Sequence, residues 1–291
     1  MTQLSFSGHD TFRCRQFWLK KGLDYLWEDA KTNKFNDNAV SSLGVGRNMV
    51  NSIKYWITSF GLLEDGTPNH IADYIFRDRI GKDPYIEDIN TLWLLHYHLV
   101  TNKNASIYSL VFNDFRRLKI EFTKKMLNDF LVRICANSNK NNVTVKTLDK
   151  DIAVFVNNYT LPEKSKGIEA DFAGLLYELD LLIPLDRSGK DKWYKIENTA
   201  RPTLSGHIIL SCILQNLKEG ESTISFKELL EGEDSVGRVF ALNANGLNDK
   251  LKSIADLYPE TIVFSDNAGV KVLQFKKELN FETILNHYYE T

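Results

Sequence analysis

Apolar residues recur at helical spacing along much of the chain, most clearly between Asn36 and Gly66. There Met49, Ile53, Trp56, Ile57 and Phe60 follow one buried stripe, while Arg47, Asn48, Asn51, Lys54, Tyr55 and Thr58 fall on the remaining face. The pattern predicts a short helix over Asn38–Leu43, a Gly44-Val45-Gly46 turn, and a longer helix from Arg47 to about Phe60. Two glycines let a pair of helices meet at a steep angle, and Gly61-Leu62-Leu63 ends the second before a Glu-Asp-Gly-Thr-Pro turn. Residues Asn69–Phe76 fit either a wing or another helix.

Residues 86–137 read as helix-rich: Trp93–Leu99 is an apolar run, and Leu110–Ile134 sets Arg116, Arg117, Lys119, Lys124 and Lys125 at helical spacing among apolar positions. The polar tract Asn137–Asn142 predicts an exposed loop and a boundary, because Asn and Ser compete with helical backbone bonds. Beyond it, Ile168–Leu182 predicts an amphipathic helix, followed by Ile183–Leu185, a polar turn Asp186–Asp191, and a strand Trp193–Ile196. A similar order returns at the end of the chain. Helices are expected over Phe226–Leu230, Val236–Leu242 and Leu247–Tyr258, then strands Thr261–Phe264 and Val270–Phe275 around an Asp266–Gly269 turn. The expected fold class is mainly α with small β wings (α+β), with helix-turn-helix or winged-helix modules joined by a helical middle region. The expected divisions are 1–82, 83–142, 143–205 and 206–291.

With 291 residues, 43% hydrophobic and 25% charged, the chain has the composition of an ordinary globular protein long enough for about two domains. No run reaches the roughly 18 apolar residues needed to cross a bilayer, and the start lacks a basic and then apolar leader, so a cytoplasmic location is expected. Cys14, Cys135 and Cys212 are too few and too scattered for a disulfide framework or a zinc site.

Charge changes the picture more. Residues 1–60 hold eight Lys/Arg against five Asp/Glu, and residues 101–150 hold ten against four. Residues 61–100 hold three against seven, and residues 151–291 fifteen against twenty-two. Contacts to phosphate are therefore expected from the first half of the chain.

A recognition helix must carry donor-rich side chains near its start, and Arg47, Asn48 and Asn51 meet that need. Lys54 and Tyr55 suit phosphate. Further phosphate contacts are expected from Arg13, Arg15, Lys20 and Lys21, from Arg116, Arg117 and Lys119, and from Arg187 and Lys190 on the polar turn with Lys192. The plain alternative is a packing unit whose polar face is simply wet, and a hairpin tip must be polar in any case. The acidic stretch Glu228–Asp234 favours protein over DNA as the partner of the C-terminal module.

The opening Phe6-Ser7-Gly8-His9-Asp10-Thr11-Phe12 offers a histidine and a carboxylate, yet no nucleophile or oxyanion site accompanies them. Its expected role is structural: Ser7 or Asp10 as a helix N-cap, Phe6 and Phe12 as a staple, Arg13 and Arg15 exposed. His96 and His98 point to opposite sides of a helix and are expected to pack. Gly44-Val45-Gly46 lacks the remainder of a nucleotide-binding loop. No catalytic residue, cofactor or metal is expected.

Two motifs resemble a bacterial family known only as domain of unknown function number four thousand and seven. They are Phe6–Phe12 with Trp18-Leu19-Lys20-Lys21-Gly22, and Leu43–Val50 with Ile53-Lys54-Tyr55-Trp56. The family's usual opening has Glu where Asp10 stands; Asp266–Val270 extends the likeness towards the C-terminus. The resemblance implies an association with enzymes of DNA phosphorothioation and phage defence. Duplex DNA, the proteins of such a system and a second copy of the chain are the expected partners. The alternative expectation is a non-catalytic adaptor that assembles a modification complex.

Overall fold

Residues 4–28, 35–138, 143–161, 173–267 and 269–290 are described by the structure, a computed structural model. They divide into two units, Met1–Ile196 and Glu197–Thr291.

In the first unit, helix α1 (Trp18–Glu28) buries Trp18, Leu19, Leu23, Tyr25 and Leu26. A short helix α2 (Ala39–Leu43) ends at Gly44 in the left-handed region, with φ 59°, a conformation that costs glycine nothing. Gly46 then caps α3 (Arg47–Ser59) in extended geometry. The buried stripe of α3 is Val50, Ile53, Trp56 and Ile57 with Phe60 beyond its end; Met49, expected in that stripe, is only half-buried. Gly22 lets α1 approach α3, since a Cβ there would lie 2.4 Å from Ile57 Cδ1 and 2.5 Å from Ile53 Cγ2.

The expected Glu-Asp-Gly-Thr-Pro turn is the tip of a hairpin, and of the two readings of Asn69–Phe76 the helix is the one found. A two-residue hairpin, β1 (Leu63–Glu64) and β2 (Thr67–Pro68), turns through Asp65 and Gly66 with φ of 50° and 82°, as tight hairpins require. Residues Asn69–Phe76 then form a helix: the Asn69 side chain accepts from Ala72 N at 3.1 Å and starts α4 (His70–Phe76).

Helix α5 (Ile89–Thr101) is buried along most of its length, with Asp88 as its N-cap. Helix α6 (Ser106–Leu110) widens into a π-helical turn over Val111–Phe115 and closes with α7 (Arg116–Leu118). The expected continuous helical pattern across Leu110–Ile134 is broken here. Residues Glu121–Thr123 form strand β3, and the Thr123 hydroxyl restarts the chain as α8 (Lys124–Asn137) by accepting from Met126 N. Pairing with a distant strand overrides local periodicity. Helix α9 (Val145–Tyr159), capped by Thr144, packs on α8.

Much of the expected Ile168–Leu182 helix lies outside the described residues, and from 173 onward the chain forms only a single 3-10 turn at Tyr177–Leu179. The Asn139–Asn142 part of the expected loop lies outside them too. Strands β4 (Ile183–Leu185) and β5 (Trp193–Lys195) form the expected hairpin, and β5 also pairs with β3, giving an antiparallel sheet of order β3-β5-β4. Its strands come from both sides of the expected boundary at residue 142.

The second unit begins with α10 (Gly206–Asn216) and β6 (Thr223–Ser225). Then come α11 (Phe226–Glu231), α12 (Val236–Val239), α13 (Ala244–Leu257), β7 (Ile262–Asn267), β8 (Val270–Phe275) and α14 (Phe281–Tyr289). Its antiparallel sheet has the order β6-β8-β7. Leu247, Leu251 and Ile254 are the buried stripe of α13, which starts three residues earlier than expected because Asn243 accepts from Gly246 N at 2.7 Å. Cys14, Cys135 and Cys212 are buried free thiols. No helix among the described residues is long and apolar enough to cross a membrane.

Candidate nucleic-acid interface

Helix α3 turns Arg47, Asn48, Asn51, Lys54 and Thr58 to solvent in one row. Arg47 makes an exposed ion pair with Asp37 at 3.2 Å. Such a pair is worth under about 1 kcal/mol and yields readily to a phosphate or a base. Tyr55 does not join this row. Its ring lies beneath Gly8, where a Cβ would stand 2.7 Å from Tyr55 Cδ2, and edge-on to His9 at 5.5 Å. Burial and the nearby charge of Asp151 push its phenol pKa up. Tyr55 is thus a support for the N-terminal turn rather than the phosphate contact expected of it.

The Phe6–Phe12 segment forms no helix cap; the first helix starts at Trp18. Ser7, Gly8, Asp10 and Thr11 all have positive φ, from 45° to 103°, a conformation that three non-glycine residues hold only where surrounding contacts fix it. Those contacts come from α9. His9 is buried at 4% exposure with Nε2 2.8 Å from Asp151 Oδ1, and Ser7 N donates to both oxygens of the same carboxylate at 3.1 and 3.0 Å. Thr11 N donates to His9 Nδ1 at 3.1 Å, which leaves the ring proton on Nε2, donated to Asp151.

Two turns further along α9, Asn158 Oδ1 accepts from Cys14 N at 2.9 Å. Trp56 Nε1 of α3 donates to Phe12 O at 3.1 Å, so the turn is tied to α3 as well. The outcome is that Asp10 stands beside α3, its Oδ2 3.5 Å from Asn51 Nδ2. Asp151 and Asn158 were missed in the sequence. Their one signal is that two polar residues seven apart interrupt the apolar stripe of Leu148, Ile152, Phe155 and Tyr159.

The remaining basic residues fall into separate places. Arg13 is half-buried, and burial with the neighbouring Arg15 charge lowers its pKa; Arg15 lies over the Trp18 ring at 5.2 Å. Lys20, expected as a phosphate contact, is buried at 5% exposure and ion-paired to Asp24 and Asp78, while Lys21 is exposed. Arg116 is also a packing residue: it is buried, and its Nε donates to Phe112 O at 3.0 Å. Arg117 and Lys119 are exposed just ahead of β3. Next to them, Arg187 pairs with Glu121 and covers Trp193 at 4.4 Å, and Lys190 is exposed at the hairpin tip. A nearby Lys192 and, more strongly, burial lower the pKa of Lys124 on the same side.

His96 Nδ1 meets Tyr159 OH at 2.9 Å, and burial pulls the pKa of His98 down to about 4. Among the described residues no three His, Cys, Asp or Glu side chains gather in a way that fits a metal ion.

The fold and this surface define a mixed α+β chain that presents a polar, basic helix through a glycine turn. The chain belongs to the family described as protein of unknown function (DUF4007), whose model matches residues 6–289. Two crystal structures share the fold, "Magnesium ion-bound SspB crystal structure" and "SspB crystal structure", with TM-scores of 0.85 and 0.84. Each is 23% identical, and the match covers 99% of this chain and 88% of the other. No curated protein matches.

Proposed function

We propose that this protein is the DNA-engaging, non-catalytic subunit of a bacterial DNA-modification or phage-defence system of the phosphorothioation type, and that it reads duplex DNA through α3. The carrying observation is the exposed row Arg47, Asn48, Asn51 and Lys54 on a helix whose opposite face is fixed in the core. Arginine suits guanine and asparagine adenine in a major groove, and Lys54 suits phosphate. The β1–β2 hairpin after α3 serves as a short wing. A winged-helix reading of the second unit draws support from its helices followed by the antiparallel β6-β8-β7 sheet. This reading gives His9 a structural role, supported by the engagement of both its ring nitrogens within the fold. The family resemblance supports the system assignment.

Fluorescence anisotropy of the full chain on short duplexes across a salt series tests it. Submicromolar binding that weakens steeply with salt is the expected result, since each neutralised phosphate releases counterions. Absence of binding at low salt, with and without magnesium, would sink it. The second reading is an adaptor, favoured by the exposed Leu257 and Val270 and by the acidic stretch Glu228–Asp234 of the second unit. Capture of modification-system proteins by a chain that ignores DNA would favour that reading.

A further inference from the structure

A cavity of about 370 Å³ opens in the first unit beside the reading helix. That size falls within the range of about 300–1,000 Å³ common to small-ligand sites. Its walls come from the start of α1, the α2–α3 turn at Val45, the first turn of α3 at Met49, and residues 173–178. Three kinds of group meet there. Phe17 supplies aromatic surface at 57% exposure, while Trp18 beneath it is 5% exposed and has Arg15 over its ring. Gln16 and Glu178 supply hydrogen-bonding edges. Arg15 and Lys21 supply positive charge, and neither is neutralised by an ion pair among the described residues.

The start of α1 adds to the cationic side. The helix is eleven residues long, carries no acidic residue in its first turn, and contributes Trp18 and Lys21 to the wall. The Trp18 and Lys21 N–H groups already donate to Arg15 O and Phe17 O, so the helix adds only the positive end of its dipole. Flat apolar walls, polar edges and a cationic rim are the features that one nucleotide demands: stacking for the base, donors and acceptors for its edge, cations for its phosphate. A lipid tail would leave Gln16 and Glu178 unused, and inorganic phosphate would leave the aromatic wall unused.

We propose that this cavity binds a single nucleotide unit, with the base against Phe17 and Met49 and the phosphate at Arg15 and Lys21. The nucleotide has two chemical sources. One is a residue everted from DNA held on α3, and this source rests on the DNA reading given above. The other is a free mononucleotide, which does not. Eversion costs a few kcal/mol of unstacking, which renewed stacking on protein aromatics offsets.

The test uses the full chain in two arms. In the first, duplexes carrying 2-aminopurine at successive positions are titrated while anisotropy follows binding; eversion releases the quenched fluorescence. In the second, AMP, GMP, CMP and TMP are titrated by calorimetry. Phe17→Ala and Lys21→Glu alter exposed side chains, and circular dichroism and melting check that both variants fold. A fluorescence rise in the wild type that Phe17→Ala lowers, with duplex affinity retained, assigns the site to an everted base. Mononucleotide binding that Phe17→Ala weakens about tenfold, the loss of one stacking contact, assigns it to a free nucleotide. Silence in both arms overturns the proposal. If anisotropy shows no duplex binding at all, the DNA reading fails separately, and the mononucleotide arm still decides the cavity.

Discussion

Helices α3 and α13 stand in corresponding places in the two units, each after a short helix and each ahead of a hairpin, and their exposed faces differ. Helix α3 shows Arg47, Asn48, Asn51 and Lys54; helix α13 shows Asn245, Asp249, Lys252, Ser253 and Asp256. The α13 residue Lys250 is not part of that face, since its Nζ donates to Leu204 O and burial lowers its pKa. One face is cationic and rich in donors, whereas the other carries two carboxylates and would repel phosphate. A shared order of elements therefore does not entail a shared ligand; the site is set by the side chains grafted on it. The α3 face also has what α13 lacks among the described residues, an N-terminal turn clamped beside it by a buried histidine and carboxylate.

The strongest way to break the contrast is to remove that clamp. Asp151→Ala strips His9 Nε2 and Ser7 N of their acceptor in a buried site, and at about 1–3 kcal/mol for each orphaned donor the expected loss is about 2–5 kcal/mol in the first unit. Urea denaturation followed at Trp56 and Trp18 reads it. A loss under about 1 kcal/mol would mean that the turn is not held by this pair. Next in size, Arg47→Ala with Asn51→Ala is expected to cost about 1–3 kcal/mol of DNA binding per base contact. The matching pair on α13, Asn245→Ala with Lys252→Ala, is expected to cost nothing measurable. Equal losses from both pairs would erase the distinction between the faces.

How much of this was legible in the sequence depends on distance along the chain. The α2–α3 pair was legible because its cause is local, two glycines and a stripe of period 3.6, although the stripe is shifted by one position from Met49 to Val50. The β4–β5 and β7–β8 hairpins were legible for the same reason. The clamp was not, because His9 and Asp151 are 142 residues apart and each has an ordinary local explanation. Strand β3 was hidden by helical spacing that continues through it, since only its partner β5 defines it. Arg116 and Lys20 read as solvent cations in a linear sequence. Burial of one against Phe112 and capture of the other by Asp24 and Asp78 emerge only from packing.

Acid provides a smaller and cleaner separation of the two units. Burial holds His98 neutral with a pKa near 4 against an ordinary 6.5, so the unfolded chain takes up this proton first as pH falls. Stability from this group is complete above about pH 6.5 and is lost on the way down to about pH 4, with a loss near 2 kcal/mol between pH 7 and pH 5. His207 in the second unit shifts in the same direction, through partial burial and the neighbouring His287, but remains half-exposed. Melting across this range should show the first unit weakening more, and His98→Gln should flatten its profile. An unchanged profile in that variant would assign the acid sensitivity to another group.

The smallest expected effect is at Asp10, and it bears most directly on how the two faces differ. Its carboxylate is exposed beside Asn51, so it sits where DNA would approach α3 and opposes the cationic row. Asp10→Asn keeps an acceptor for Asn51 Nδ2 and removes only the charge. If the carboxylate merely orients the amide, binding to duplex should tighten by about half a kcal/mol, roughly twofold, and the gain should fade at high salt. If the carboxylate itself accepts from a cytosine amino group, the same variant should weaken binding and lose preference at one base pair. Anisotropy at low and high salt separates these results. No change at either salt concentration would place Asp10 outside the interface and return the N-terminal turn to a purely structural role.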